Sequence, residues 1–171
     1  MAKLILRKFR VIDIGNIMKL FVNNRILNDI NLPKKAKEIT KSYEMKWLKN
    51  TIKNYKLRKP EEYNLAIIID GDFIGGIGLH KINHNHNNAE VGYWIGEPYW
   101  GKNYATLALR KFLKEIFRKF KLVRVVGYVN DYNRGSQRVL EKNGFKFECI
   151  RKKAVKKGNK YINDKQYSLI R

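Results

Sequence analysis

Residues 88–120 read NAEVGYWIGEPYWGKNYATLALRKFLKEIFRKF, and this stretch decides the fold. Its opening alternates: Glu90, Gly92 and Trp94 share one face of a strand, and Val91, Tyr93 and Ile95 share the other. Gly96, Pro98 and Gly101 then break the pattern as a short loop. Beyond it Ala105, Ala108, Leu109, Phe112, Leu113, Ile116 and Phe120 recur at helical spacing, with lysines and arginines opposite. Residues 122–129, LVRVVGYV, follow as a β-branched run. The unit is strand–helix–strand, with a right-handed crossover. The loop WGKNYAT opens the helix with free backbone N–H groups. Such a terminus binds phosphate, because the unpaired donors and the helix dipole both point at it.

Upstream, residues 3–8 alternate into a first strand, and Asp13 is placed to cap a helix carrying Ile14, Ile17, Met18 and Phe21. Residues 23–33 read as a polar turn region, and residues 36–55 as a second helical segment rich in lysine, a basic arm over an amphipathic face. Residues 63–69 and 73–82 pair about the turn Asp70-Gly71, and the second strand carries Gly75, Gly76 and Gly78, which mark room for a ligand or a close backbone approach. Downstream, residues 133–143 form a helix ended by Asn143-Gly144, and residues 145–154 and 161–170 form a terminal hairpin. His80, His84 and His86 lie around one hairpin with no cysteine or acidic ligand set beside them, so no metal is expected.

The 171 residues suit a single domain with no linker, repeat or membrane-length apolar run, and the N-terminus begins a strand instead of a signal peptide, so a cytoplasmic location is expected. One cysteine, Cys149, excludes an internal disulfide framework, and its strand setting suggests a packed core thiol. The net charge of +22 attracts polyanions: nucleic acid, acidic proteins and an anionic coenzyme alike. The charge is spread along the chain, so nucleic-acid or ribosome association through it is expected to be loose and salt-sensitive.

The segment YWIGEPYWGKNYATLAL, followed by NRGSQRVLEKNGF, resembles the acetyl-CoA site of the GNAT N-acetyltransferases, most of all the subgroup of ribosomal-protein N-terminal and spermidine acetyltransferases. That family's phosphate loop runs Gln/Arg-x-x-Gly-x-Gly/Ala, and residues 100–105 fall on it with two departures: Trp100 at the first position and Asn103 at the central glycine. Asn is the next best residue for positive φ. The resemblance implies a mixed α/β fold: a mostly antiparallel sheet of about seven strands, flanking helices, and one parallel pair that splays to admit pantetheine. It implies acetyl-CoA as cosubstrate. Backbone groups of Trp94, Ile95 and Gly96 would meet pantetheine and the oxyanion; Gly101, Lys102, Asn103, Tyr104, Ala105 and Thr106 would take the pyrophosphate.

Amine acetylation needs a proton acceptor and a proton for the leaving thiolate. Glu90, beside the space left by Gly92, is the candidate base; the alternative is a strand carboxylate that only attracts a cation. Asn133 begins the family's Asn-x-x-Ser segment, which would reach coenzyme or substrate, and Ser136 completes it as candidate acid or as a helix cap. Leu140 stands where many family members carry a tyrosine acid. The acceptor expected is a peptide or protein N-terminal α-amine, which brings one charge into a basic field; a polyamine is the alternative, as is a catalytically weak RNA- or ribosome-associated protein of the same fold. The chain is expected to be a monomer or homodimer.

Overall fold

The computed structural model describes residues 3–30 and 38–171. A seven-stranded sheet forms its middle, in the order β1-β2-β3-β4-β5-β7-β6. The strands are β1 Leu4–Lys8, β2 Tyr63–Ile69, β3 Asp72–Asn83, β4 Asn88–Ile95, β5 Arg124–Asn130, β6 Lys146–Lys157 and β7 Lys160–Ile170. Every neighbouring pair is antiparallel except β4 and β5. The crossover between those two is α4, Tyr104–Phe120.

Helices cover both faces, which is why β2 is buried at every residue instead of alternating. On one face α4 and α5 (Arg134–Glu141) pack against Leu65, Ile67, Ile77, Leu79, Val91 and Val125 through Ala108, Leu109, Phe112, Ile116 and Leu140. On the other, α1 (Ile14–Leu20), α2 (Asn24–Asp29) and α3 (Lys41–Asn54) close over Ala66, Ile68, Phe73 and Trp94 with Ile17, Phe21, Ile26 and Leu48. The alternation in β4 therefore holds: Val91 and Ile95 serve the first cluster, Trp94 the second.

Four expectations are corrected. Residues 24–29 are helix, not turn: the Asn23 side chain accepts the Arg25 N–H at 2.8 Å, and this cap offsets the weak local propensity. The segment expected to be helical from residue 36 begins as helix only at Lys41, capped by Thr40; residues 36–37, with Lys34 and Lys35 of the basic arm, lie outside the described residues. Asp13 stands at the N-cap position of α1, as expected, but its side chain makes no cap hydrogen bond there. Its buried carboxylate takes two hydrogen bonds from Arg7, at 2.8 and 2.7 Å, and one from the Arg10 N–H; desolvation is the largest single influence and raises its pKa, but these bonds and the two guanidinium charges together outweigh it and hold the group below the usual carboxylate range. Cys149 is exposed, because β6 is a sheet edge with no layer packed over most of it.

Gly75 is where β3 cannot carry a side chain. A Cβ there would lie 2.2 Å from the Trp94 carbonyl oxygen of the adjacent strand, a backbone atom that cannot rotate away. Gly75→Ala is expected to cost about 3 kcal/mol by overpacking, lowering the melting temperature by roughly 5–10 °C. A thermal melt within a degree of the parent would show that β3 and β4 separate easily at this point.

Candidate active site

β4 and β5 pair at only three positions, Asn88↔Arg124, Ala89↔Val125 and Glu90↔Val126. β4 continues beside β3 to Ile95, and β5 beside β7 to Asn130, so the two strands part while their outer edges stay paired. The hydrogen-bond phase fixes which groups face the gap. The Gly96 N–H donates to the Ile74 carbonyl, and the Asn87 carbonyl accepts from Val123 N. Alternation along the ladder then turns the backbone of Glu90, Gly92 and Trp94 toward β3, and that of Val91, Tyr93 and Ile95 toward the gap. Of the three residues expected to meet pantetheine, Ile95 faces the gap; Trp94 turns its backbone groups to β3, and Gly96 gives its N–H to β3 while its carbonyl accepts the Tyr99 N–H. The Ile95 carbonyl also accepts the Trp100 indole N–H at 2.6 Å, which seats the loop against the strand.

At the far side of the gap the phosphate loop has the geometry its glycine pattern predicts. Gly101 has φ +75° and Asn103 has φ +62°, so Asn103 takes the left-handed conformation of the glycine it replaces. Its side chain makes no cap hydrogen bond, and α4 begins at the next residue. The N–H groups of Tyr104, Ala105 and Thr106 belong to the first helical turn and lack intrahelical acceptors. Lys102 extends to the Tyr99 ring, 5.8 Å from its centre.

α5 closes the same gap. Asn133 caps it, its Oδ1 accepting the Ser136 N–H at 2.9 Å, so the cap is Asn133 and the Ser136 hydroxyl is left for another partner. That partner is Tyr93, whose hydroxyl lies 2.9 Å from Ser136 Oγ and donates to the Ser136 carbonyl at 3.1 Å. Burial raises the Tyr93 pKa well above its ordinary value, keeping the phenol protonated, while the Ser136 hydrogen bond opposes the shift. Leu140 is buried against Gly127, its methyls 3.0 Å from where a Cβ would stand, so packing fills the place of a tyrosine hydroxyl.

On the opposite face three side chains lie flat on the sheet, each over a glycine. The Trp94 indole covers Gly76, Asn64 covers Gly78, and the His80 ring covers Gly92. These positions are cross-strand neighbours in successive rows: Gly76 with Trp94, Asn64 with Gly78 and Gly92, His80 with Glu90. The glycines thus make a floor for a cleft. Glu90 sits at the fork itself and is ion-paired to Lys81 Nζ at 2.8 Å. His80 has its Nδ1 3.8 Å from the Glu62 carboxylate, and the imidazole chiefly holds that carboxyl below its usual value. The Asn64 Nδ2 is buried without a hydrogen-bond partner. Glu44 of α3 is buried to 4% exposure, and desolvation pushes its pKa up to about 7.

A continuous cavity of about 980 Å³ runs through the fork and joins the two faces. Glu90, Trp94, Ile95, Gly101, Asn103, Tyr104, Ala105, Thr106, Asn133 and Ser136 all line it; Gly96 and Lys102 do not. Asp29 and Glu44, carboxylates that the sequence offers near an acceptor mouth, line it as well; Glu62, Asn64, His80, Tyr93 and Arg138 line it too, and sequence reasoning missed these five in this role. The signals were available in part: His80 shares the strand face of Gly76 and Gly78. His84 is structural, its Nε2 3.0 Å from the Pro60 carbonyl.

Comparison with known proteins agrees with this architecture. The model of the acetyltransferase (GNAT) domain matches residues 3–146. The chain belongs to the GNAT acetyltransferase family. Its curated relatives include the probable N-acetyltransferase YjcK of Bacillus subtilis, 38% identical across 59% of this chain and 58% of that protein. Another is the putative ribosomal N-acetyltransferase YdaF of the same organism, 31% identical across 61% and 55%. The chain thus spans a little over half the length of the curated relatives it matches. Among solved structures, the ribosomal L7/L12 α-N-protein acetyltransferase RimL in complex with coenzyme A superposes with a TM-score of 0.87 at 20% identity, covering 98% of this chain and 93% of that one. The spermidine N-acetyltransferase of Vibrio cholerae in complex with CoA and spermine gives 0.84 at 20% identity, covering 98% and 95%. These last two likenesses are of fold.

The buried Glu44 carboxyl makes a prediction about stability. With a folded pKa near 7 against 4.5 unfolded, the folded state binds the extra proton between those values. Stability is therefore lost as pH rises from about 4.5 to above 7, by about 3 kcal/mol at most. Glu44→Gln should remove this loss, so denaturant titrations should show the variant gaining on the parent as pH rises from 5 to 8. A constant difference between the two would place Glu44 in contact with water.

Proposed function

We propose that this protein transfers the acetyl group of acetyl-CoA to a primary amine, most directly the N-terminal α-amine of a peptide or protein. The observation that carries the reading is the fork after Glu90 and Val126, with a left-handed phosphate loop at one end of the cavity and carboxylates at the other. Names among the relatives support the acceptor class, since they include ribosomal-protein acetyltransferases.

In this reading the first-turn N–H groups of α4 take the pyrophosphate, and Arg138 and Lys142 add positive charge along the same wall. Pantetheine enters the fork and pairs with the free backbone edge of β4, which brings the thioester to the level of Glu90. The acceptor arrives as an ammonium over the glycine floor. Glu90 takes its proton directly or through water, and the His80–Glu62 pair stands one strand away as a second acceptor. The neutral amine attacks the thioester carbon; as the C–S bond breaks, the nitrogen gives up its remaining extra proton and the thiolate gains one, with the Ser136 hydroxyl, held by Tyr93, placed to relay it and be reprotonated in the same transfer.

A polyamine is the second reading. Asp29, Glu44, Glu62 and Glu90 all line the cavity, and that local acidity offsets the repulsion a polycation meets at a +22 surface. Loose ribosome association through the basic surface is compatible with either acceptor.

Two tests follow. Calorimetry at low salt should give one acetyl-CoA site per chain, with Asn103→Gly binding equally or more tightly, because the loop offers backbone donors. Heat with acetyl-CoA no greater than with unrelated polyanions would reject the coenzyme site. Glu90→Gln should lower kcat by about 100- to 10,000-fold while leaving acetyl-CoA affinity unchanged. A variant that keeps most of its turnover across a pH series moves the base to His80.

A further inference from the structure

We propose that the cavity holds a second ammonium group beside Glu44, apart from the amine that is acetylated, so that the acceptor carries two cationic centres. The inference rests on the amine-acetylation reading above and specifies its substrate.

Helical spacing puts Glu44 on the inward stripe of α3 with Leu48 and Thr51, both essentially buried. Its carboxylate lines the cavity, and among the described residues no side chain hydrogen-bonds or ion-pairs with it. A buried carboxylate without a partner is costly and persists where a ligand completes it. The surroundings suit an alkylammonium. Trp47, one turn along α3, packs edge-on against Phe9 at 5.2 Å, and Phe9 reaches the Gly76 position under Trp94. Aromatic faces attract cations and accept the methylenes between them.

The place differs from that of the reacting amine. Through Trp47 and Phe9 the Glu44 stripe meets the Gly76–Trp94 row, two rows along the sheet from His80 and Glu90. Trp94 and Glu90 are four residues apart on one strand, roughly 13 Å at strand spacing. Two ammonium groups on the order of ten ångströms apart fit that separation. The cavity's burial also keeps Glu44 near the point of half-ionisation at neutral pH, so an arriving cation draws it fully into its charged form.

The test compares 1,8-diaminooctane with octylamine, and the dipeptide amides Ser-Lys and Ser-norleucine, each as acceptor for acetyl-CoA. The parent protein should favour the dication of at least one pair by about 10- to 100-fold in kcat/KM. Glu44→Gln should bring that ratio toward one, and Glu44→Asp should keep part of it. A preference within the diamine pair alone identifies a small diamine acceptor; one within the peptide pair identifies a lysine-bearing N-terminus. A parent protein that turns over both members of each pair equally, or a Glu44→Gln variant with an undiminished ratio and a cooperative melt, would overturn the inference while leaving acetyl transfer intact. Calorimetry with the diamine alone separates the opposite case: Glu44-dependent binding without turnover of any amine supports the subsite and rejects the transferase reading. Absence of both binding and turnover overturns the subsite as well.

Discussion

β4 and β5 are hydrogen-bonded for three residues and then part, and the working geometry of the molecule depends on that parting. Two strands that separate expose backbone N–H and C=O groups inside a protein, where unpaired groups are costly. The separation holds because each strand keeps its other neighbour: β4 is paired with β3 through Ile95 and β5 with β7 through Asn130. The helix that crosses between them, α4, starts at the open end and is buried along Ala108, Leu109, Phe112 and Ile116. Its N-terminal donors, the free strand edge and the glycine floor therefore converge on one cavity. Each is an ordinary feature alone, and the fork makes them neighbours.

The cavity is electrically divided, which the net charge conceals. Its lining carries Asp29, Glu44, Glu62 and Glu90, and also the start of α4 with Arg138 and Lys142; in the proposed function the carboxylates would meet the acceptor and the helix terminus the coenzyme. Surface lysines act over distances that salt screens within about 10 Å. The groups inside the cavity act at close range, where screening is weak. In the proposed function the basic exterior would govern encounter with polyanions, and the interior carboxylates which cation remains. Lys81 marks the boundary, paired with Glu90 at the mouth of the fork.

Side chains that lie down on the sheet explain the glycines of β3 and β4. Trp94, Asn64 and His80 each cover a neighbouring strand's glycine, so the floor is polar and flat instead of filled with aliphatic side chains. On the other face Leu140 covers Gly127 in the same way, and Tyr93 reaches Ser136 across the fork. A serine on α5 is in this way held by a phenol on β4, a hydroxyl pair in the lining of the cavity.

Periodicity determined what lies in contact range along the chain. The strand–helix–strand unit, the hairpin at Asp70-Gly71 and the helix end at Gly144 follow from alternation, helical spacing and turn chemistry, and the left-handed turn at Asn103 from the resemblance of its loop to the family's glycine pattern; the structure has all of them. The choice of Glu90 as candidate base also rests on a local pattern, a polar residue beside Gly92 on a strand face, and the structure places Glu90 at the fork. Tertiary structure decided what local patterns cannot contain. Backbone direction at Trp94, Ile95 and Gly96 depends on the ladder phase with β3, so only Ile95 faces the gap. Asp13 became the partner of Arg7 because β1 and the following turn meet in space, and Cys149 was left exposed because its strand ended at the sheet edge. Glu44 reads in the sequence as one of a few mouth carboxylates set among the lysines of α3, with nothing to mark it as buried. Its burial was set by how α3 docks on the sheet, a long-range packing choice that a single helix's sequence does not encode.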